Sequence, residues 1–206
     1  MNIETIINAA PVIPVLTIER VEDARPLAEA LVKGGLPALE VTLRTDAAMA
    51  AIAEIAKVKG AFAGVGTILT PEHVEQSKAA GAVFGVSPGS TASIIDAARA
   101  NDLPLLPGAV TASEVMHLAD LGFEFQKFFP AEAAGGTPTI KAFSAPLPQI
   151  TFCPTGGISP ANAESYLSLP NVRCIGGSWI APLDLIRSGK WDEITERARL
   201  AAALRR

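Results

Sequence analysis

The stretch ALEVTLRTDAAMAAIAEIAKVKGAFAGVGTIL (residues 38–69) decides the fold. It holds an apolar run, Ala38–Arg44, an Ala-rich amphipathic segment, Asp46–Lys57, and a second apolar run, Phe62–Leu69. Alternation in the first run marks a strand, and the middle segment has the length and face pattern of a helix. Two strands joined through one helix pair in parallel by a right-handed crossover.

The same unit recurs along the chain. Further strands are expected at Val12–Ile18, Phe84–Gly89, Leu103–Gly108, Phe123–Pro130, Thr151–Gly156 and Arg173–Trp179. Helices are expected at Val21–Lys33, Pro71–Ala80, Thr91–Ala100, Thr111–Leu121, Thr137–Ser144, Pro160–Leu167 and Trp191–Leu204. Thr70-Pro71-Glu72 and Ser159-Pro160 carry the cap and N1 proline of a helix start, and Gly34-Gly35, Gly81 and Gly122 fall at helix ends. Eight such units of roughly 25 residues predict a compact (β/α)8 TIM barrel. A short helix, Ile3–Ala9, precedes the first strand and covers the lower end of the barrel. No linker or shift in composition divides residues 1–206, which read as one domain.

Composition narrows the function. The 206 residues carry a formal charge of −4, with no basic cluster beyond the terminal Arg205-Arg206 pair, which argues against nucleic acid as a partner. No run approaches the ~20 apolar residues of a membrane span, and Pro11 and Pro14 interrupt the N-terminal apolar run, so neither a membrane partner nor a secretory signal is expected. Cys153 and Cys174 match no zinc spacing and read as buried thiols of a cytoplasmic protein.

Barrel interiors are packed with branched apolar side chains, so inward polar residues are informative. In Ala38–Arg44, Leu39, Val41 and Leu43 share the face that meets the helices, which turns Glu40, Thr42 and Arg44 inward. Burying a Glu and an Arg without a chemical use is rarely compensated in stability. In the sixth strand Phe125, Lys127 and Phe129 share one face, with Gln126 and Phe128 on the other. Of seven lysines, Lys127 alone sits inside an apolar strand, among Phe125, Phe128 and Phe129. Apolar surroundings push an amine toward its neutral, nucleophilic form, which attacks ketones to give a carbinolamine and then an iminium. His73 and His117 both fall on helices and form no metal-binding constellation, so a lysine mechanism without metal or other cofactor is expected.

Thr155-Gly156-Gly157 and Gly176-Gly177-Ser178 end the seventh and eighth strands. In (β/α)8 enzymes the loops at these places bind phosphate with backbone N–H groups, and Ser178 adds a hydroxyl. The glycines of Gly64-Val65-Gly66-Thr67 make room inside the barrel, and Thr67 offers a hydroxyl at its strand's end.

These segments, together with Ser87-Pro88-Gly89, Lys127-Phe128-Phe129-Pro130-Ala131-Glu132 and Phe152-Cys153-Pro154-Thr155-Gly156-Gly157, closely resemble the 2-keto-3-deoxy-6-phosphogluconate (KDPG) aldolases of the Entner–Doudoroff pathway. The resemblance implies a homotrimeric lyase that cleaves this phosphorylated 2-keto acid to pyruvate and D-glyceraldehyde 3-phosphate, with 4-hydroxy-2-oxoglutarate as a second substrate. Carried over by motif, Lys127 is the Schiff-base lysine and Glu40 the general acid/base. Arg44 and Thr67 bind the carboxylate of the pyruvyl half, Pro88 and Phe129 form the apolar wall, Gly156, Gly157, Gly177 and Ser178 hold the phosphate, and Thr155 is a further substrate-binding residue. The competing readings are an aldolase for the galactonate epimer and a phosphate-binding barrel isomerase or synthase without covalent lysine chemistry.

Overall fold

The computed structural model describes residues 1–204; the Arg205-Arg206 pair lies outside the described residues. The chain begins with α1 (Ile3–Asn8), β1 (Val12–Leu16), a 3-10 turn at Val21–Asp23 and α2 (Ala24–Lys33). Then come β2 (Ala38–Thr42), α3 (Ala48–Ile55), β3 (Phe62–Gly66), α4 (Pro71–Ala79), β4 (Phe84–Val86) and α5 (Ala92–Ala100). The second half holds β5 (Leu105–Leu106), β6 (Gly108–Ala109), α6 (Ala112–Asp120), β7 (Phe125–Phe128), α7 (Gly136–Phe143), β8 (Thr151–Pro154), α8 (Ala163–Leu167), β9 (Ile175–Gly177), α9 (Leu183–Arg187) and α10 (Trp191–Ala202). Among the described residues no helix is long and apolar enough to cross a membrane.

The strands form a curled six-stranded parallel sheet, ordered β5-β4-β3-β2-β1-β9, and a three-stranded parallel sheet, β6-β7-β8. The expected fifth strand, Leu103–Gly108, is divided between them. Pro107 has no N–H to give a ladder, so β5 ends at Leu106 and pairs with β4, while β6 starts at Gly108 and pairs with β7. The Pro107 carbonyl accepts the Lys127 N–H at 2.8 Å. On the opposite side, isolated parallel bridges join Phe152 to Val172 and Thr155 to Gly176.

Two apolar layers follow from the strand alternation. Leu39, Val41, Val65 and Phe128 face the helices in the larger cluster. Ile13, Phe84, Val86, Leu106, Cys153 and Cys174 form an inner cluster with Ile6 and Ile7 of α1, so the first helix plugs one end of the interior. Asn2 caps that helix by accepting the Thr5 N–H at 2.9 Å. The interior depends on missing side chains: a Cβ on Gly64 would lie 2.1 Å from the Phe84 ring.

Several boundaries differ from the sequence reading. Strand β2 stops at Thr42 rather than Arg44, and α8 starts at Ala163, three residues after Pro160. Ser159 does not cap that helix with its side chain; its N–H instead bonds Asn162 Oδ1 at 2.8 Å. Helix α9 has no counterpart in the expected elements. Thr70 does cap α4, accepting the His73 N–H at 3.3 Å beside the N1 proline. Gln126, on the helix-facing side of β7, is fully buried, and its Nε2 donates to the carbonyls of Val115 (3.1 Å) and Phe123 (2.9 Å). It therefore ties β7 to α6 and to the turn before the strand.

Phe128 meets Phe143 and Phe152 edge-on, with ring centroids 6.2 and 6.0 Å away. This aromatic group clamps α7 onto β7 and β8. Phe152→Ala is expected to cost about 3–5 kcal/mol through lost burial and a residual cavity. The urea-unfolding midpoint measures this, and Phe152→Leu should recover more than half of the loss.

Candidate functional site

The alternation of β2 sends Glu40 and Thr42 into the interior, and that of β7 sends Lys127 toward them. Lys127 Nζ donates to Glu40 Oε1 at 3.1 Å, and both side chains are almost fully buried. Register sets the level of each group. Glu40 lies between Val15 of β1 and Gly64 of β3, while Lys127 lies between Gly108 of β6 and Cys153 of β8.

Gly66 makes the Glu40 position possible. A Cβ there would stand 2.3 Å from Glu40 Oε1 and 2.6 Å from its Cγ. Gly108 plays a related part, since its Cβ would overlap the Pro88 carbonyl at 2.2 Å. The Pro88 turn thus passes directly over the strand beside Lys127. Thr42 Oγ1 donates to the Leu16 carbonyl at 2.9 Å and lies 3.4 Å from Thr17 Oγ1, which locks β1 to β2 just beyond Glu40. Thr17 escaped the sequence reading because the apolar pattern of the first strand gave it no weight.

The aromatic surroundings of Lys127 differ from expectation. Phe128 points into the helix layer, and Phe125 packs against the inner cluster. Phe129, in the turn after β7, is the ring that meets the lysine, with Nζ 5.4 Å from its centroid. An ammonium over a ring face is held by the ring quadrupole, and a neutral amine keeps the same apolar contact. Thr67, immediately after Gly66, has φ 64°. A β-branched residue in the left-handed region is strained, and such strain gathers at functional sites.

A cavity of about 130 Å³ opens beside Phe129. Thr155, Gly156, Gly157, Ser178 and Arg44 help to line it. Gly156 and Gly157 have φ of 104° and 78°, a backbone that L side chains rarely adopt. Among the described residues Thr155 Oγ1 is buried without a hydrogen-bond partner, packed against Gly176 at the cavity wall. Two expectations need correction here. Arg44 does not enter the interior beside Glu40; it lies past the end of β2, exposed, at the cavity wall. Gly176 rather than Gly177 lines the cavity, and a Cβ on Gly177 would collide with the Trp179 ring at 2.3 Å. The structure therefore brings Lys127, Glu40 and Phe129 together, with Arg44, Thr155, Gly156, Gly157 and Ser178 around the adjoining cavity. Pro88 and Thr67 stand at the ends of neighbouring strands.

Neither Lys127 nor Glu40 lines the cavity, but Phe129 touches both it and the lysine. A buried lysine–carboxylate pair and a polar cavity thus share one ring, an arrangement suited to carbonyl chemistry. The model of the KDPG and KHG aldolase family matches residues 3–197. The chain is 50% identical over 201 residues to the 2-dehydro-3-deoxy-phosphogluconate aldolase of Pseudoalteromonas atlantica, covering 97% of this chain and 94% of that one. It is 46% identical, at a TM-score of 0.95, to the crystal structure of KDPG aldolase from Legionella pneumophila with pyruvate captured as a covalent carbinolamine intermediate; the match covers 98% of this chain and 99% of that one. Against the Zymomonas mobilis ZM4 aldolase with 3-phosphoglycerate, the identity is 47% and the TM-score 0.93, over 99% and 96% of the two chains. The chain belongs to the KDPG and KHG aldolase family. It is a carbon–carbon lyase.

The contact between Gly66 and Glu40 makes a test of the site geometry. Gly66→Ala should push the carboxylate off the Lys127 amine and lower kcat by about 100-fold, as small displacements of a reacting group do. The fold should survive with a modest loss of stability. Steady-state cleavage rates beside a denaturation curve check both expectations.

Proposed function

We propose that the protein cleaves 2-keto-3-deoxy-6-phosphogluconate to pyruvate and D-glyceraldehyde 3-phosphate through a Schiff base on Lys127. The observation that carries this reading is the buried 3.1 Å contact between Lys127 Nζ and Glu40 Oε1. Removing two charges from water is costly, and one hydrogen bond does not offset it. The pair is better understood as an amine and a proton carrier held within reach of each other. The carbinolamine of the Legionella relative supports the covalent step, and the 3-phosphoglycerate of the Zymomonas relative supports a phosphorylated ligand.

In this mechanism Arg44 and Thr67 hold the substrate carboxylate, so that C2 stands beside the Lys127 amine. Addition gives a carbinolamine; Glu40 delivers the proton that lets its hydroxyl leave as water, forming the iminium. The Glu40 carboxylate then takes the C4 hydroxyl proton. The C3–C4 bond breaks, its electron pair flows into the iminium, and D-glyceraldehyde 3-phosphate departs. Protonation of the remaining enamine at C3 and addition of water release pyruvate and restore the amine. One carboxylate serves as acid and base because both are needed at the same place.

At the far end Thr155, Gly156, Gly157 and Ser178 take the phosphate, whose binding energy fixes the reacting end. Pro88 and Phe129 wall the pyruvyl half and exclude water from the iminium. The same chemistry extends to 4-hydroxy-2-oxoglutarate, which lacks the phosphate and so forgoes that anchoring. We also read residues 1–206 as one domain whose two sheets close into a (β/α)8 barrel; the split at Pro107 and the bridges at Thr155 and Phe152 support this. The working form is taken to be a cytoplasmic homotrimer, as the family resemblance implies.

Borohydride reduction with pyruvate, followed by peptide mass mapping, tests the mechanism. A stable adduct on Lys127 is expected, together with loss of adduct and of cleavage in a folded Lys127→Ala variant. Cleavage without any adduct would sink the Schiff base. Glu40→Gln should retain slow trapping and lose at least about 100-fold in turnover, since a general acid/base contributes on that order.

A further inference from the structure

Tyr166 has no part in the mechanism above, yet it is fully buried and its hydroxyl donates to Glu132 Oε1. Burial, and then the adjoining carboxylate, hold its phenol well above the ordinary value, so it remains a donor at every working pH. Glu132 is surface-exposed, five residues after Lys127, and a charge with free access to water has little need of a buried phenol. The contact makes sense through what Glu132 touches. A Cβ on Gly157 would lie 2.6 Å from both Cβ and Cγ of Glu132, so the glutamate stem lies flat against that glycine. The Glu132 N–H donates to the Gly156 carbonyl at 3.1 Å, and the Ala131 N–H to the Thr155 carbonyl at 2.8 Å.

These contacts close a ring. The chain leaves β8 through Thr155, Gly156 and Gly157, continues into α8, and returns through the Tyr166 hydroxyl to Glu132, which is bonded to Gly156. The cavity-lining glycines sit inside this ring in left-handed conformations that glycine adopts easily and also leaves easily. A carboxylate beside Gly157 is also a negative charge next to a proposed anion site, and the hydroxyl turns it toward α8.

We propose that Tyr166 is a positioning residue: acting through Glu132, it sets the Gly156–Gly157 backbone for the substrate phosphate and keeps the Glu132 carboxylate away from it. This rests on the phosphate assignment made above. The pair thereby controls recognition of the phosphorylated end and leaves the lysine chemistry alone.

Tyr166→Phe removes one oxygen from a packed ring. It should raise KM for 2-keto-3-deoxy-6-phosphogluconate and weaken inorganic phosphate binding, measured by calorimetry, by about tenfold each, the worth of a hydrogen bond to a charged group. The kcat and the rate of pyruvate trapping on Lys127 should stay within about twofold, the pattern of lost binding rather than lost chemistry. Glu132→Gln keeps an acceptor for the hydroxyl and should bind phosphate at least as well as wild type, whereas Glu132→Ala should reproduce the Tyr166→Phe defect. Unchanged phosphate affinity in Tyr166→Phe overturns the inference, as does a parallel fall in pyruvate trapping. Should Tyr166→Phe fail to fold, the two Glu132 variants decide, and equal phosphate affinity in both overturns it. A wild type that binds no inorganic phosphate removes the phosphate assignment and this inference together, while pyruvate trapping would still report on Lys127 independently.

Discussion

The ion pair between Lys127 and Glu40 constrains the rest of the structure, because each partner must give up most of its water and has the other as its nearest compensation. They are 87 positions apart and belong to different sheets, so the pair forms only where β2 and β7 face each other across a common interior. That requires curl in the six-stranded sheet and an interior emptied at one level. Gly66 leaves room for the carboxylate, Gly108 for the Pro88 turn, and Gly176 for the Thr155 hydroxyl, against which a Cβ would lie 2.2 Å away. The other end is filled instead: Phe84 spreads over Gly64, and Ile6 and Ile7 of α1 press in from below. The lower layer is filled by side chains, and the glycines of the upper layer leave space beside the lysine–carboxylate pair.

How much of this was legible in the sequence depends on whether the signal was local. Alternation assigned Glu40 and Thr42 to the inner side because each lies within its strand, where a period of two holds, whereas for Lys127 it gave only a face opposite Gln126 and Phe128, since aromatic residues stand on both. The same rule failed for Arg44: β2 ends at Thr42, and beyond a strand the alternation carries no information. Phe128 misled in another way, since closeness in sequence suggests a neighbour of Lys127 while alternation itself puts it on the opposite side, where Phe143 and Phe152 receive it. Gln126 had no sequence explanation, since its partners are backbone carbonyls of α6 and of the preceding turn, which a pattern of side chains does not register. The break at Pro107 was readable in principle from the missing N–H, but the apolar run around it masked the signal. The link from Tyr166 in α8 to Glu132 in the turn after β7 spans 34 positions and left no trace in any periodicity.

The arrangement of charge at the mouth also bears on how an anion reaches the site. The chain carries a formal charge of −4, so at long range it repels a substrate bearing both a carboxylate and a phosphate. Attraction must be supplied locally, within roughly a Debye length of 8–10 Å. Arg44 suits this role, because it is exposed, it lines the cavity, and among the described residues it has no ion pair. Lys127 is screened behind Phe129 and already paired with Glu40, so it adds little field at the entrance. Backbone N–H groups of the glycine turn supply dipoles rather than charge, and these act only at contact. In the proposed reading, attraction by Arg44 and seating by the glycines differ in their sensitivities. The first weakens with salt, while the second depends on the shape of the Gly156–Gly157 turn. On that proposal the site discriminates its ligands through loop geometry, while the buried amine and carboxylate perform the same chemistry on each 2-keto acid that the loops seat.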